Sequence, residues 1–244
     1  FYGNAGDRIR GDIEKFISEA GVKGLSKDQI RVKVEAFKSQ AASAIDESRG
    51  AKLKAGIIPF GDTDDNFWAT KFVAPLAKLG IVKGKGDGSF DPGAQVTVAE
   101  LVTMAFRVSG DSESRDASRI CDGRFAGHWG NKFIAWAEEK GLSVVGKCTD
   151  VNRPALRWEV AQVLLETAGG GPVGITDEQC FSDVKVTDQP VNSVVCRAKS
   201  AEIMSGTDGK VNAYGRVNRA EAATMVMRAA EKLFGMNFDG GENT

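Results

Sequence analysis

The feature that most constrains this chain is that it repeats itself. The stretch Phe60 to Arg107 contains Phe60-Gly-Asp62, Trp68, Leu76-Ala-Lys-Leu-Gly80-Ile-Val-Lys-Gly84, Asp87-Gly-Ser-Phe90-Asp-Pro92 and Thr97-Val98-Ala99-Glu100, followed by an apolar run. Shifted by 121 positions it returns. Phe181, Asp183, Asp208-Gly209, Ala220-Glu221, Thr224-Met225 and Arg228 stand where Phe60, Asp62, Asp87-Gly88, Ala99-Glu100, Thr103-Met104 and Arg107 stood. Half of that shift locates a third, more worn copy between the two. Trp129 precedes Gly141 by twelve residues, as Trp68 precedes Gly80, and Pro154 stands for Pro92. Leu156-Arg157-Trp158-Glu159 stands for Thr97-Val98-Ala99-Glu100 after a loss of about three residues. A period of this kind decides the architecture before any local propensity does.

Each copy predicts two helices. In the first, Asp64 or Asp65 is expected to cap a helix carrying Trp68, Phe72, Val73, Leu76 and Leu79, with Gly80 supplying its left-handed end. A Gly-rich turn follows, and Thr97 with Glu100 then forms a capping box ahead of Leu101, Met104, Ala105 and Val108. Asn218 and Glu221 repeat the box in the third copy. The second has Leu156 at the cap position, which places the start of its helix earlier, at Asn152 or Pro154. Ahead of the repeats, residues 7–20 and 26–49 carry apolar stripes at helical spacing and predict a helical hairpin, whose stripes either pack inward or dock on a neighbouring molecule. The expected units are residues 1–57 (hairpin and connector), 58–110, 111–172 and 173–235 (repeats) and 236–244 (tail).

With 32 basic and 33 acidic residues the chain has a net charge of −1, which gives no electrostatic reason to expect nucleic acid. No apolar run approaches the ~20 residues of a membrane span. The chain begins Phe1-Tyr2 without a methionine, which is read as a secreted product whose signal peptide has been removed. Cys121 and Cys148 fall in the second copy, Cys180 and Cys196 in the third. Four cysteines allow three pairings; two disulfides within repeats are the simplest, in an oxidising extracytoplasmic setting. Four buried thiols in a reduced cytosol are the alternative.

Phe-x-Asp, a Trp-bearing helix ending in Leu-Gly-Ile, Gly-x-x-Asp-Gly-x-Phe-x-Pro and Thr-x-Ala-Glu together resemble the S-layer homology (SLH) module. The resemblance covers roughly residues 58–235 as three tandem modules. It implies a mainly α, pseudo-threefold domain of three helix–loop–helix repeats, here preceded by the hairpin. It also implies that grooves between modules bind cell-wall polysaccharide, often through a pyruvate ketal. The residue after the capping Thr is typically Arg in the family. A helix N-terminus offers free N–H groups and partial positive charge, and an Arg beside it adds a bidentate partner for a carboxylate. A Trp suits a sugar face, and glycines let a ligand approach the backbone. On this basis the expected carbohydrate-binding residues are Arg219, Arg157, Trp68, Trp129, Gly84, Asp87, Gly206 and Asp208. No single copy carries the whole set. The first has Val98 in place of Arg, the third has Gln189-Pro190 in place of Trp, and the second lacks the Thr cap and the Asp-Gly turn. One competent site therefore requires a groove that combines neighbouring copies. Trp158 is either a sugar platform or a core filler.

No enzyme, cofactor or metal is expected. His128 is the only histidine and has no catalytic or metal-ligating partner in sequence. Asp62-Thr-Asp64-Asp-Asn66 begins like a calcium loop but has Phe67 and Val73 where glycine and the bidentate Glu belong. Two functions remain. One is a structural subunit that assembles with copies of itself into a surface layer or filament, favoured by the hairpin and the eroded ligand positions. The other is an anchor for cell-wall polysaccharide without self-assembly.

Overall fold

A computed structural model of the chain describes residues 60–63, 67–111, 123–169 and 174–238. The expected hairpin, the expected caps Asp64 and Asp65, and Cys121 lie outside the described residues. Among the described residues there are six α-helices: α1 (Thr70–Lys78), α2 (Val98–Ser109), α3 (Asn131–Glu139), α4 (Arg157–Gly169), α5 (Val191–Ser200) and α6 (Arg219–Lys232). Short and long helices alternate, and the described residues form isolated bridges but no strands. The three long helices α2, α4 and α6 pack against one another. Each short helix packs on a long helix from a different part of the chain: α3 on α2, α5 on α4 and α1 on α6.

This arrangement explains why α2 is apolar on almost every side. Val98, Ala99, Leu101, Val102, Met104, Ala105, Phe106 and Val108 are all buried, because the helix is covered by α3, α4 and α6 at once. Each such Val, Leu, Phe or Met contributes about 1.5–3 kcal/mol when it leaves water. Phe106 meets Phe133 and the edge of Trp136, both on α3, with ring centroids 5.1 and 5.4 Å apart.

The residues just ahead of the long helices form a closed ring of backbone hydrogen bonds. Val96 N–H donates to the Val217 carbonyl (2.9 Å), Val217 N–H to Ala155 (3.2 Å), and Ala155 N–H back to Val96 (2.8 Å). The first N–H groups of the helices continue the pattern. Val98 donates to Arg153 (3.1 Å), Arg157 to Gly215 (2.9 Å) and Arg219 to Ala94 (2.9 Å). The free donors of each helix start thus find carbonyls on the next segment, and the helix starts converge.

Both expected capping boxes are present. The Thr97 hydroxyl accepts from Glu100 N–H, the Asn218 carboxamide from Glu221 N–H, and each glutamate returns a bond to the cap residue's N–H. Two expectations are corrected. Helix α4 starts at Arg157, in register with the other two, rather than at Asn152 or Pro154. Leu156 cannot cap with its side chain, but the Glu159 carboxylate still accepts Leu156 N–H (2.8 Å) and is clamped by both outer nitrogens of Arg153. Trp68 does not lie on α1, which begins two residues later; it sits in the preceding turn with more than half its surface exposed. Trp129 occupies the same place before α3. Gly80 ends α1 with φ +70°, as expected.

Cys180 and Cys196 form a disulfide with Cα atoms 5.3 Å apart, tying α5 to the loop before Phe181. Cys148 is also disulfide-bonded, and none of the described cysteines is free. Trp158 is half-buried against the core, nearer a core filler than a platform. No described helix is long and apolar enough to cross a membrane.

Candidate functional site

The paired Phe-x-Asp sequences explain how the Gly-rich turns are built. The Asp62 carboxylate accepts the N–H groups of Phe90 (2.8 Å) and Asp91 (2.7 Å). Asp183 does the same for Val211 (3.0 Å) and Asn212 (2.7 Å). Burial works against ionisation of Asp183, but the two N–H groups outweigh it and hold its carboxyl below the usual carboxylate range. Asp62 is therefore a loop clamp, and no group of acids among the described residues is arranged to hold a metal ion. Gly84 and Gly206 are required for packing within their own loops. A Cβ on Gly84 would lie 2.5 Å from the Ser89 carbonyl and 2.6 Å from the Phe60 ring. One on Gly206 would collide with the Lys210 carbonyl and lie 2.8 Å from the Phe181 ring.

Against the first turn lies a groove of about 230 Å³. It is lined by the apolar Val82, Phe90, Val96 and Met104, and by Lys83, Lys85, Glu100, Thr103, Arg107, Trp129 and Arg219. Three expected site residues, Gly84, Trp129 and Arg219, thus meet in one place, each from a different expected repeat. Trp129 presents 59% of its surface. His128 holds the turn beside it: its Nδ1 accepts from Gly130 N–H (3.0 Å), so Nε2 carries the proton and donates to Asn152 (3.0 Å). The two rings lie 5.4 Å apart.

Arg219 is placed differently from a free carboxylate partner. Its Nε donates to the Phe90 carbonyl (2.7 Å), one outer nitrogen to the Lys83 carbonyl (2.6 Å) and the other to Glu100 (3.0 Å). The guanidinium lies 4.7 Å from the centre of the Phe90 ring, a cation–π distance.

A second groove of about 300 Å³ contains Arg157, Gly206, Lys210, Asn212, Arg216 and Glu221. Here Arg157 makes one long contact, 3.5 Å to Glu221, and its Nε is buried without a partner. Trp68 lines neither groove. Asp87 and Asp208 sit at the turn tips outside both grooves. Asp87 accepts from the Ser89 hydroxyl and N–H, which hold its carboxyl below the usual range, and Asp208 adopts φ +52°. Sequence reasoning missed Lys83, Lys85, Thr103 and Arg107 as groove residues. The signal was present for two of them, since Thr103 and Arg107 are polar positions that recur as Thr224 and Arg228 at the same shift of 121 positions.

Residues 59–102 match the S-layer homology domain. The chain is 25% identical over 203 residues to "S-layer protein sap" of Bacillus anthracis, covering 82% of this chain and 24% of that protein. It is 34% identical over 116 residues to "Middle cell wall protein" of Brevibacillus brevis, covering 48% and 10% respectively. It is 26% identical over 140 residues to an "Uncharacterized cell wall amidase" of Bacillus anthracis, covering 50% and 25%. The chain therefore spans a quarter or less of the length of these relatives. It carries a matched S-layer homology domain at residues 59–102 and is similar to proteins named for the S-layer and the cell wall.

Proposed function

We propose that this chain is a non-catalytic cell-surface segment that holds cell-wall polysaccharide in the groove between Lys83–Lys85, Trp129 and Arg219. The observation that carries this is the convergence of an exposed Trp, several cations and a Gly-rich turn from three separate parts of the chain. The Trp offers a flat apolar face to a sugar, and the cations suit an acidic group on it. The domain reading that goes with it is three modules, residues 58–110, 111–172 and 173–235, with pseudo-threefold symmetry. The closed ring Val96–Val217–Ala155 and the cyclic packing of short on long helices support that symmetry. Similarity to proteins named both as S-layer protein and as cell wall amidase supports attachment as the shared property.

The test is co-sedimentation and calorimetry with purified wall polysaccharide. Trp129→Ala should weaken binding by at least about tenfold, the size expected of a central aromatic contact, with thermal unfolding unchanged because the ring is exposed. Undiminished binding removes the groove from the reading, and no binding by the parent protein removes attachment altogether.

The relatives named as S-layer proteins favour a second reading, assembly with copies of itself into a layer or filament. Negative-stain microscopy of the native protein decides it. Ordered arrays lost on deletion of residues 1–50 support assembly through that segment, whereas a protein that stays monomeric at high concentration removes it.

A further inference from the structure

Within that attachment reading, on which the ligand half of this inference rests, we propose that Arg219 is a positioning residue that builds the groove. In this assignment Lys83 and Lys85 are the cations that meet the ligand. Residues Lys83 and Phe90 are the two ends of the Gly-rich turn, and the Arg219 guanidinium bonds the carbonyls of both, at 2.6 and 2.7 Å. Asp62 takes the N–H groups at one of those ends, so the turn is gripped from opposite sides by an anion and a cation. The planar fork suits this geometry, because three divergent donors fix three acceptors while the plane rests near the Phe90 ring.

Little of this guanidinium is left for a ligand. Its side chain is 10% exposed, Nε is committed to Phe90, and Glu100 neutralises its charge from the third side. The side-on edge, Nε with one outer nitrogen, is therefore filled by two carbonyls, and the second outer nitrogen is taken by Glu100. Lys83 is exposed, and its ammonium has no ion pair or hydrogen bond among the described residues. Lys85 is 39% exposed and reaches Glu100 only at 3.7 Å. Both project from the turn that Arg219 holds in place.

Arg219→Lys separates the two roles, because lysine keeps the charge and loses the fork. Amide hydrogen exchange of the unliganded protein is read at Lys85, bonded to Ser89, and at Gly61, bonded to Gly88. Exchange there should accelerate by roughly tenfold or more in Arg219→Lys, as in Arg219→Gln, while amides in α2 and α4 keep their protection. In Lys83→Ala with Lys85→Ala it should stay at the parent rate. Binding to purified wall polysaccharide should fall in Arg219→Lys and in the double lysine variant, with a shallower salt dependence only in the latter. Parent-like exchange or parent-like binding in Arg219→Lys overturns the positioning role, and undiminished binding in the double lysine variant overturns their assignment. A parent protein that binds no wall polysaccharide sinks the attachment reading instead, and the exchange measurement still decides what Arg219 does.

Discussion

In the turn Lys83–Phe90 an aspartate two residues beyond a phenylalanine grips two N–H groups, and in the turn Ser205–Val211 Asp183 grips the two corresponding N–H groups. The two turns are closed by different means. The first lacks a paired bridge of its own and is stapled by Arg219, which arrives from more than a hundred residues away. The second closes itself, with Thr207 and Lys210 exchanging both backbone hydrogen bonds at 2.8 and 3.0 Å. Arg157, which holds the equivalent helix position beside it, is left with a buried Nε that has no partner. The same Arg one residue after a helix cap is thus a structural staple in one groove and a largely uncommitted cation in the other. A motif position specifies where a side chain starts; the backbone it meets decides what it does.

The largest effects should come from the shared part of the two turns. Alanine at Gly84 or Gly206 places a Cβ inside the van der Waals surface of a carbonyl and a phenylalanine ring. Each should cost about 1–3 kcal/mol in urea denaturation, the range for overpacking. If Gly206→Ala is neutral, the self-paired hairpin can move away from Phe181, and the two turns differ in stiffness as well as in closure.

A double-mutant cycle isolates the difference. Asp62→Ala and Asp183→Ala should each destabilise by about 1–3 kcal/mol, since each removes a charged acceptor from two N–H groups. Combined with Arg219→Gln, Asp62→Ala should show a coupling of at least about 0.5 kcal/mol, because both side chains act on Phe90 and one turn. Asp183→Ala combined with Arg157→Gln should be additive within about 0.5 kcal/mol, because the pair shares no hydrogen-bond partner. Equal couplings would mean that Arg157 supports its turn through contacts the geometry does not display.

Local chemistry was legible in the sequence. Thr97 with Glu100 and Asn218 with Glu221 cap as read, because a capping box depends only on residues three apart. The disulfide between Cys180 and Cys196 likewise joins residues only 16 positions apart. Trp68 was misplaced by the span of a helix start. Ala69 holds the cap position without a side-chain bond, so the usual punctuation is missing. The grooves were legible only in part, for a different reason. Trp129, Arg219 and Gly84 could each be named from the motif, yet their meeting depends on which short helix covers which long one. Helical periodicity identifies a buried face and leaves its partner open. Lys83 and Lys85 carry no such signal, because their place depends on a turn that is held by a side chain more than a hundred residues away.

The smallest expected effect is a pH difference carried by the Asp183 clamp. The folded pKa of Asp183 lies below its unfolded value, which is near 3.9 for an unperturbed aspartate. Stability contributed by such a group is complete above the unfolded pKa and is lost as pH falls through the folded one. The Val211 and Asn212 N–H groups should therefore keep their protection from neutral pH down to about 4 and lose it progressively below that. Asp183→Asn removes the titrating group, and in that variant the same amides should exchange with no step in this window. Asp87, exposed at the tip of the other turn, supplies the control. Asp87 also titrates below the usual range, but its bonds to Ser89 are local and touch neither clamp. An Asp87→Asn variant should therefore leave the acid step at Val211 and Asn212 where it was. A step that moves with Asp87 instead would assign the acid sensitivity to the charge of the turns as a whole, and the clamp would no longer account for it.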